Sequence, residues 1–335
     1  MNIYDIAREA GVSIATVSRV LNHKDTVRAD TRAKVEKVLK RCNYAPSAIA
    51  QGMVSKSLHT VAVLTVDIRD SHYARTAYTI EREFGRRGYE VILCNTGGDR
   101  AETLRTLQAV AQKQVDGLIL VGSIFNTICQ GAEMENLLRR MPVVLANGTL
   151  ALPDAYSVMV DDCRGVEMAV EHLVKTGRRN LYYIKDKSTD SAAAKTKGFL
   201  YGGSRARIGR QALHCARQTF RVPRCETLED GIRAVQQLLA EGIRPDGILC
   251  GEDLTAAGVL KALLRAGIRV PEETAVVGYD NSTYARLCEP ELTSVDNKPE
   301  QVALLCVQLL QSRIEHGEDY SSVTLQPELV QRQSS

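Results

Sequence analysis

The sequence predicts a small all-α helix-turn-helix head followed by a larger α/β core of two doubly wound parallel-sheet lobes. Three observations predict it. Apolar side chains in the first forty residues recur at helical spacing and break at a glycine. Basic charge is concentrated in the same region. From residue 61 onward, short apolar runs alternate with helical stretches, and the alternation occurs twice over.

The head follows from its spacing. Ile3, Ile6, Ala7 and Ala10 share one helix face, and the pattern stops at Gly11, a residue able to take the left-handed conformation that ends a helix. Ser13 is placed to cap a second helix whose inner side is Val17, Val20 and Leu21. This leaves Ile14, Ala15, Ser18, Arg19 and Asn22 facing outward. A third helix, from about Asp30 to Arg41, turns Val35, Val38 and Leu39 inward. Residues 1–59 hold ten basic and five acidic groups, a net +5, whereas the rest of the chain carries −2. Such an asymmetry fits a nucleic-acid contact confined to one end. Ile14 and Ala15 are poor choices against water, but in a major groove they meet thymine methyl groups while Arg19 reaches guanine O6 and N7. The hydroxyls of Ser13, Thr16 and Ser18 and the amide of Asn22 then hold phosphates. The segment Tyr44 to Met53 is proline-initiated, about two helical turns long and weakened by Gly52, so it forms only when something packs against it.

In the core, the apolar runs 61–64, 91–94, 118–121 and 143–145, then 158–160, 181–184, 248–250 and 275–277, read as buried parallel strands. Ligands of such sheets bind at the carboxyl ends of the strands, here in a cleft between lobes. No run approaches the length of a membrane span and the N-terminus has no signal-peptide pattern, so a cytoplasmic protein without membrane contact is expected. The nine cysteines include no CxxC pair, and no metal or cofactor is implied. Phosphate-loop, dinucleotide, zinc-protease and nucleophile-elbow motifs are absent, which argues against an enzyme. Asp67 and the Asp161-Asp162 pair sit at strand ends and can be drawn as an acid/base set, but strand-terminal Asp commonly caps the next helix. A secreted solute-binding protein would share the body and begin with a signal peptide instead of a basic head.

The runs "IYDIAREAGVSIATVSRVLN", "VRADTRAKV" and "NYAPSAIA" in the head, with "VDGLILVGS", "VEHLVKTGRRNLYYI", "PDGILCGEDLTAAGVLKAL" and "VPEETAVVGYDN" in the body, resemble the LacI/GalR repressors over essentially the whole chain. The resemblance implies a periplasmic-binding-protein-like core of type I, and a homodimer that binds double-stranded palindromic operator DNA. It also implies allosteric control by a sugar-type effector and repression of carbohydrate genes. By position, Ile14, Ala15 and Arg19 become base readers, and Tyr4, Ser13, Thr16, Ser18, Asn22 and Tyr44 phosphate contacts. Met53 stands where the family inserts a leucine into the minor groove. The implied domains are 1–45, a hinge at 46–59, and a core at 60–335. Within that core, the N-lobe is about 60–158 and 292–318, and the C-lobe about 159–291 and 319–335.

The effector residues implied are His72, Tyr73, Ser123, Asn147, Lys195, Glu252, Asp280 and Asn297. Several depart from the family pattern: relatives often have Asn-Pro-Phe-Phe near His72 and Tyr73, and an arginine where Lys195 stands. Asn147-Gly148-Thr149 reads equally as a turn. Lys185, Lys187, Lys195 and Lys197 admit an anionic sugar phosphate beside a neutral sugar. A releasing inducer and a corepressor fit equally well. After Val330 there is no leucine heptad, so a dimer is expected and a tail-linked tetramer is not.

Overall fold

A computed structural model describes residues 2–21, 26–42, 57–185, 189–205, 213–216, 227–317 and 320–335. They fall into two compact units, Met1–His59 and Thr60–Ser335.

The head holds α1 (Ile3–Ala10), α2 (Ile14–Leu21) and α3 (Ala29–Arg41). Asn2 and Asp5 form a reciprocal capping box at the start of α1, so two of its orphan N–H groups are satisfied. Gly11, at φ 66°, ends α1 with its N–H turned back to Ala7 and Arg8 carbonyls. The Ser13 hydroxyl accepts from the Thr16 N–H at 3.2 Å and caps α2. Ile6, Ala7, Val17, Val20, Val35 and Val38 come from all three helices into one buried cluster, with Leu21 and Leu39 at its edge. The expected hinge at 46–59 lies outside the described residues except for Ser57, Leu58 and His59.

Among the described residues, the core contains two six-stranded sheets. The first comprises β1 (Thr60–Thr65), β2 (Glu90–Asn95), β3 (Gly117–Val121), β4 (Val143–Ala146), β5 (Ala155–Val160) and β11 (Val323–Leu325), in the order β11-β5-β4-β3-β1-β2, with every pair parallel. The second comprises β6 (Leu181–Ile184), β7 (Leu213–Ala216), β8 (Gly247–Cys250), β9 (Ala275–Tyr279), β10 (Thr293–Asp296) and β12 (Glu328–Val330), in the order β12-β10-β9-β8-β6-β7. Among the described residues, its one antiparallel pair is β10 with β12. Leaving out the late-joining sixth strand, the two orders are the same.

Strand alternation builds two apolar layers per sheet. Val61, Val63, Ile119 and Val121 face the helices Ser71–Arg86 and Pro299–His316 through Ile80, Phe84, Val302 and Leu310. Ala62, Leu64, Leu118 and Leu120 face the helices Arg100–Gln112 and Ala132–Leu138 through Leu107, Met134 and Leu138. Both faces of the central strands β1 and β3 are therefore dry, and their runs 61–64 and 117–121 are apolar without interruption.

The lobe limits differ from those expected. Thr293–Asp296, expected in the N-lobe, pairs in register with Val277–Tyr279 and belongs to the C-lobe sheet. Val323–Leu325, expected in the C-lobe, pairs with Val158–Val160 and closes the N-lobe sheet. Neither strand is an apolar run of the kind that marks the other strands, so only ladder hydrogen bonding assigns them. The chain consequently crosses between lobes after β5, after β10 and between β11 and β12.

The head core is small enough for one truncation to dominate it. Ile6→Ala is expected to cost about 2–5 kcal/mol, because Ile6 is fully buried against both other helices. Hydrogen exchange should accelerate across residues 3–41 and stay unchanged beyond residue 60.

Candidate functional site

Two surfaces carry the residues singled out by sequence. The first is α2. At about 100° per residue, Ile14, Ala15, Ser18 and Arg19 span one arc of that helix, while Val17 and Val20 take the opposite side and are buried. Ile14 is 41% exposed and Tyr4 62% exposed, large apolar groups left in water on a unit with few such residues. Ala15 and Arg19 are exposed as well. The hydroxyls of Ser13 and Thr16 lie 2.9 Å apart at the helix start, the positive end of its dipole, where an anion is favoured. Asn22, Tyr44 and Met53 lie outside the described residues.

The second surface is a cleft where the carboxyl ends of both sheets meet. His72 and Tyr73 follow β1, Gly122 and Ser123 follow β3, and Asn147 follows β4. From the other lobe, Thr189, Ser191 and Lys195 follow β6, Gly251 and Glu252 follow β8, and Asp280 follows β9. Asp162 and Asn297 stand at two of the crossings. All eight effector positions drawn from the sequence line this one cavity of about 60 Å³. A larger cavity of about 470 Å³ shares His72, Tyr73, Thr189, Glu252 and Asp280 with it, and is lined further out by Val66, Ile124, Leu254 and Tyr284.

The inner cavity is organised around acceptors. Asp162 accepts from the Tyr279 hydroxyl at 2.6 Å and the Ser191 hydroxyl at 2.5 Å. Burial, reinforced by the Asp162 charge, holds the Tyr279 phenol well above its usual range, so it stays a donor. The Lys195 ammonium lies 3.7 Å from the centre of the Tyr279 ring and donates to the Gly251 carbonyl at 2.8 Å. Asn297, 4% exposed, donates from Nδ2 to Asp280 Oδ1 at 2.7 Å, with His72 Nδ1 3.5 Å away. Its Oδ1 is buried with no hydrogen-bond partner among the described residues, an acceptor that costs free energy until a donor arrives. Three carboxylates, Asp162, Glu252 and Asp280, thus line the cavity against one lysine. Gly122, at φ 120°, makes room for Tyr73, whose ring would lie 2.9 Å from any added Cβ.

Sequence reasoning missed Gly122, Asp162, Thr189, Ser191, Ala192 and Gly251 as lining groups. The strand-end rule could have found them, since each follows a strand or opens the helix after it. Within the Asp161-Asp162 pair, Asp161 does cap its helix, accepting from the Arg164 N–H at 2.9 Å, and Asp162 is the one turned into the cavity. Asp67 is held by Arg69, whose hydrogen bonds keep the carboxyl below the ordinary range, unsuited to proton donation. Of the four lysines, only Lys195 lines the cavity; Lys197 lies over the Tyr201 ring, and Lys187 is outside the described residues.

Behind the cavity, Asp253 is 1% exposed and accepts from the Ser282 N–H and the Ser294 hydroxyl, both at 2.6 Å. Gly278 lies against it, since a Cβ there would fall 2.2 Å from the carboxylate. Burial first, and the Asp280 charge second, push the Asp253 carboxyl up to about 7. Among the described residues, no group of His, Cys, Asp and Glu is placed to hold a metal ion, and no helix is long and apolar enough to cross a membrane.

Residues 2–47 match the model of the bacterial regulatory proteins of the lacI family, and residues 170–335 match a periplasmic binding protein-like domain. An HTH-type transcriptional regulator of Lachnoclostridium phytofermentans is 30% identical over 339 residues, covering 100% of this chain and 99% of that protein. The ribose operon repressor of Escherichia coli is 31% identical over 310 residues, 92% of each. A solved complex of the transcriptional regulator CelR with cellobiose superimposes with a TM-score of 0.71 at 25% identity, covering both chains in full.

A raised carboxyl makes the folded chain bind a proton that the unfolded chain releases near pH 4, so the Asp253 site loses stability as pH rises from about 4 to 7. Melting temperature against pH should fall over that window in the parent, and Asp253→Asn should flatten the fall. An unchanged profile would put the proton elsewhere.

Proposed function

The chain belongs to the LacI family of bacterial regulatory proteins, and on that premise we propose that it represses transcription as a cytoplasmic homodimer controlled by a neutral sugar-type effector. It is a DNA-binding transcriptional regulator and not an enzyme, as its full-length relatives are. The further reading rests on one observation above others. Polar side chains from the ends of eight strands converge on a single cleft between lobes. A ligand there touches both lobes at once, so it binds one lobe arrangement better than another and shifts the population between them.

The acceptor-rich lining favours a ligand rich in hydroxyl donors. Asp162, Glu252, Asp280 and Asn297 Oδ1 all accept, and with one ammonium against three carboxylates a phosphate is disfavoured. The names of two relatives point the same way, one the repressor of a ribose operon and one held with cellobiose. In the head, Ile14, Ala15 and Arg19 are assigned to base edges, and Tyr4, Ser13, Thr16, Ser18, Asn22 and Tyr44 to phosphates. Met53 is the wedge at the operator centre, where an unbranched apolar side chain can part a base step. Tyr78 and Leu93 on the N-lobe, with Leu264 and Leu287 on the C-lobe, are large apolar groups left in water, and we assign them to the contact with a second copy. Two heads on a symmetric dimer then read an inverted repeat.

Selection of bound DNA from a random pool, with and without a panel of neutral sugars and sugar phosphates, tests the whole reading. The expected result is an inverted repeat whose recovery changes with one neutral sugar. Recovery of no sequence under any condition sinks it, and a response confined to a sugar phosphate sinks the effector class. Within the selected site, Arg19→Ala should relax discrimination at one base pair by about 1–3 kcal/mol. Uniform weakening on every sequence would make Arg19 a phosphate contact.

A further inference from the structure

Arg75 stands on the N-lobe helix Ser71–Arg86, one turn beyond His72, and its side chain is half-buried. Its Nε and Nη2 donate to the Glu300 carboxylate at 3.0 and 3.2 Å. Glu300 belongs to the helix Pro299–His316, which packs on the same lobe. The remaining nitrogen, Nη1, reaches across the cleft to the C-lobe, donating to the carbonyls of Asp280 at 3.2 Å and Asn281 at 3.3 Å.

Those two carbonyls belong to an unusual stretch of backbone. Asp280 has φ 97° and Asn281 φ 44°, conformations that L side chains adopt at a cost. From inside the C-lobe the stretch is pinned by the Ser294 hydroxyl on the Asn281 N–H at 3.0 Å, and by Arg332 on the Asn281 side chain at 2.6 Å. From outside, among the described residues, Arg75 is the charged group of the other lobe that takes its carbonyls. A guanidinium suits the task, because its planar fork serves a carboxylate on one edge and two carbonyls on another. Two further bonds between the lobes come from uncharged donors: Asn126 to Asp190 at 2.7 Å, and the Ser191 N–H to the Ser123 hydroxyl at 3.3 Å.

We propose that Arg75 is a latch between the lobes: Glu300 aims its guanidinium, and its bonds to Asp280 and Asn281 hold the cleft closed and fix where the Asp280 carboxylate stands. Arg75 is a positioning residue, since it does not line the inner cavity. The proposal rests on the cleft being the effector site only for its biological meaning. Closure itself is read without any ligand, so a wrong effector assignment and a wrong latch give separate results.

The chain has no tryptophan, and Tyr284 lines the outer cavity from the C-lobe. Tyr284→Trp therefore places a single reporter in the mouth of the cleft, and acrylamide quenching of its fluorescence measures how open the cleft is. Adding Arg75→Ala should raise the open fraction about tenfold, the factor carried by losing a charge-assisted hydrogen bond. Glu300→Gln should move it in the same direction by less, because the guanidinium keeps its carbonyls and loses its aim. The melting temperature and far-ultraviolet circular dichroism separate opening from unfolding. If Arg75→Ala is destabilised, Arg75→Gln takes its place with the same two outcomes. Raised quenching in a protein of unchanged melting temperature supports the latch. A reporter as shielded in the Arg75 variant as in its parent overturns it.

Discussion

Everything functional in the core depends on one constraint of parallel sheets. Each strand must return through a helix, so all carboxyl ends of a sheet finish on one edge. Two such sheets, joined at three crossings, here turn those edges toward each other. The chemistry of the cleft then follows from which residues happen to terminate strands, and they are polar: Ser123, Asn147, Asp162, Glu252, Asp280 and Asn297. The three crossings also limit how the lobes can move, because a rotation about them leaves both sheets intact while it opens or closes the space between.

The same arrangement makes buried polar groups unavoidable, and the structure handles them by fixing them to one another. Asp253 is removed from water at the foot of its helix, bonded to Ser294 and to the Ser282 N–H, and it is admitted only because position 278 has no side chain. Ser294 in turn holds the Asn281 N–H. A satisfied network of this kind specifies a single loop geometry more sharply than apolar packing can. It explains how Asp280 and Asn281 persist at positive φ, and why the strain falls at the cleft: that loop is over-determined from the lobe behind it.

The head works under a different limit. Three short helices share a core of six buried side chains, so little stability is in reserve, and the outer face of α2 is free to carry residues chosen for a partner. Ile14 in water is tolerable there because the face is polar elsewhere and the apolar exposure is confined to the end of the helix that would enter a groove.

Much of this was legible in the sequence. Helical spacing gave α1 to α3 and the inward set Val17, Val20, Val35 and Val38, and uninterrupted apolar runs marked eight of the twelve strands. The strands at Leu213, Thr293, Val323 and Glu328 were not legible, because short strands that lack an uninterrupted apolar run leave no such signal. The placement of the strands at Thr293 and Val323 is also what the expected lobe limits had wrong. The eight positions that line the cavity were legible as strand ends, with the family resemblance choosing among them; Asp162 was seen as one of a pair whose members only the fold could tell apart. Local sequence determined which segments are helices and strands, since periodicity and capping act over a few residues. Tertiary structure alone decided that Arg75 meets Asp280 across 205 positions of chain, that Asp253 lies dry, and that Lys195 rests on Tyr279, because those contacts are set by how two sheets are brought edge to edge and by nothing adjacent in sequence.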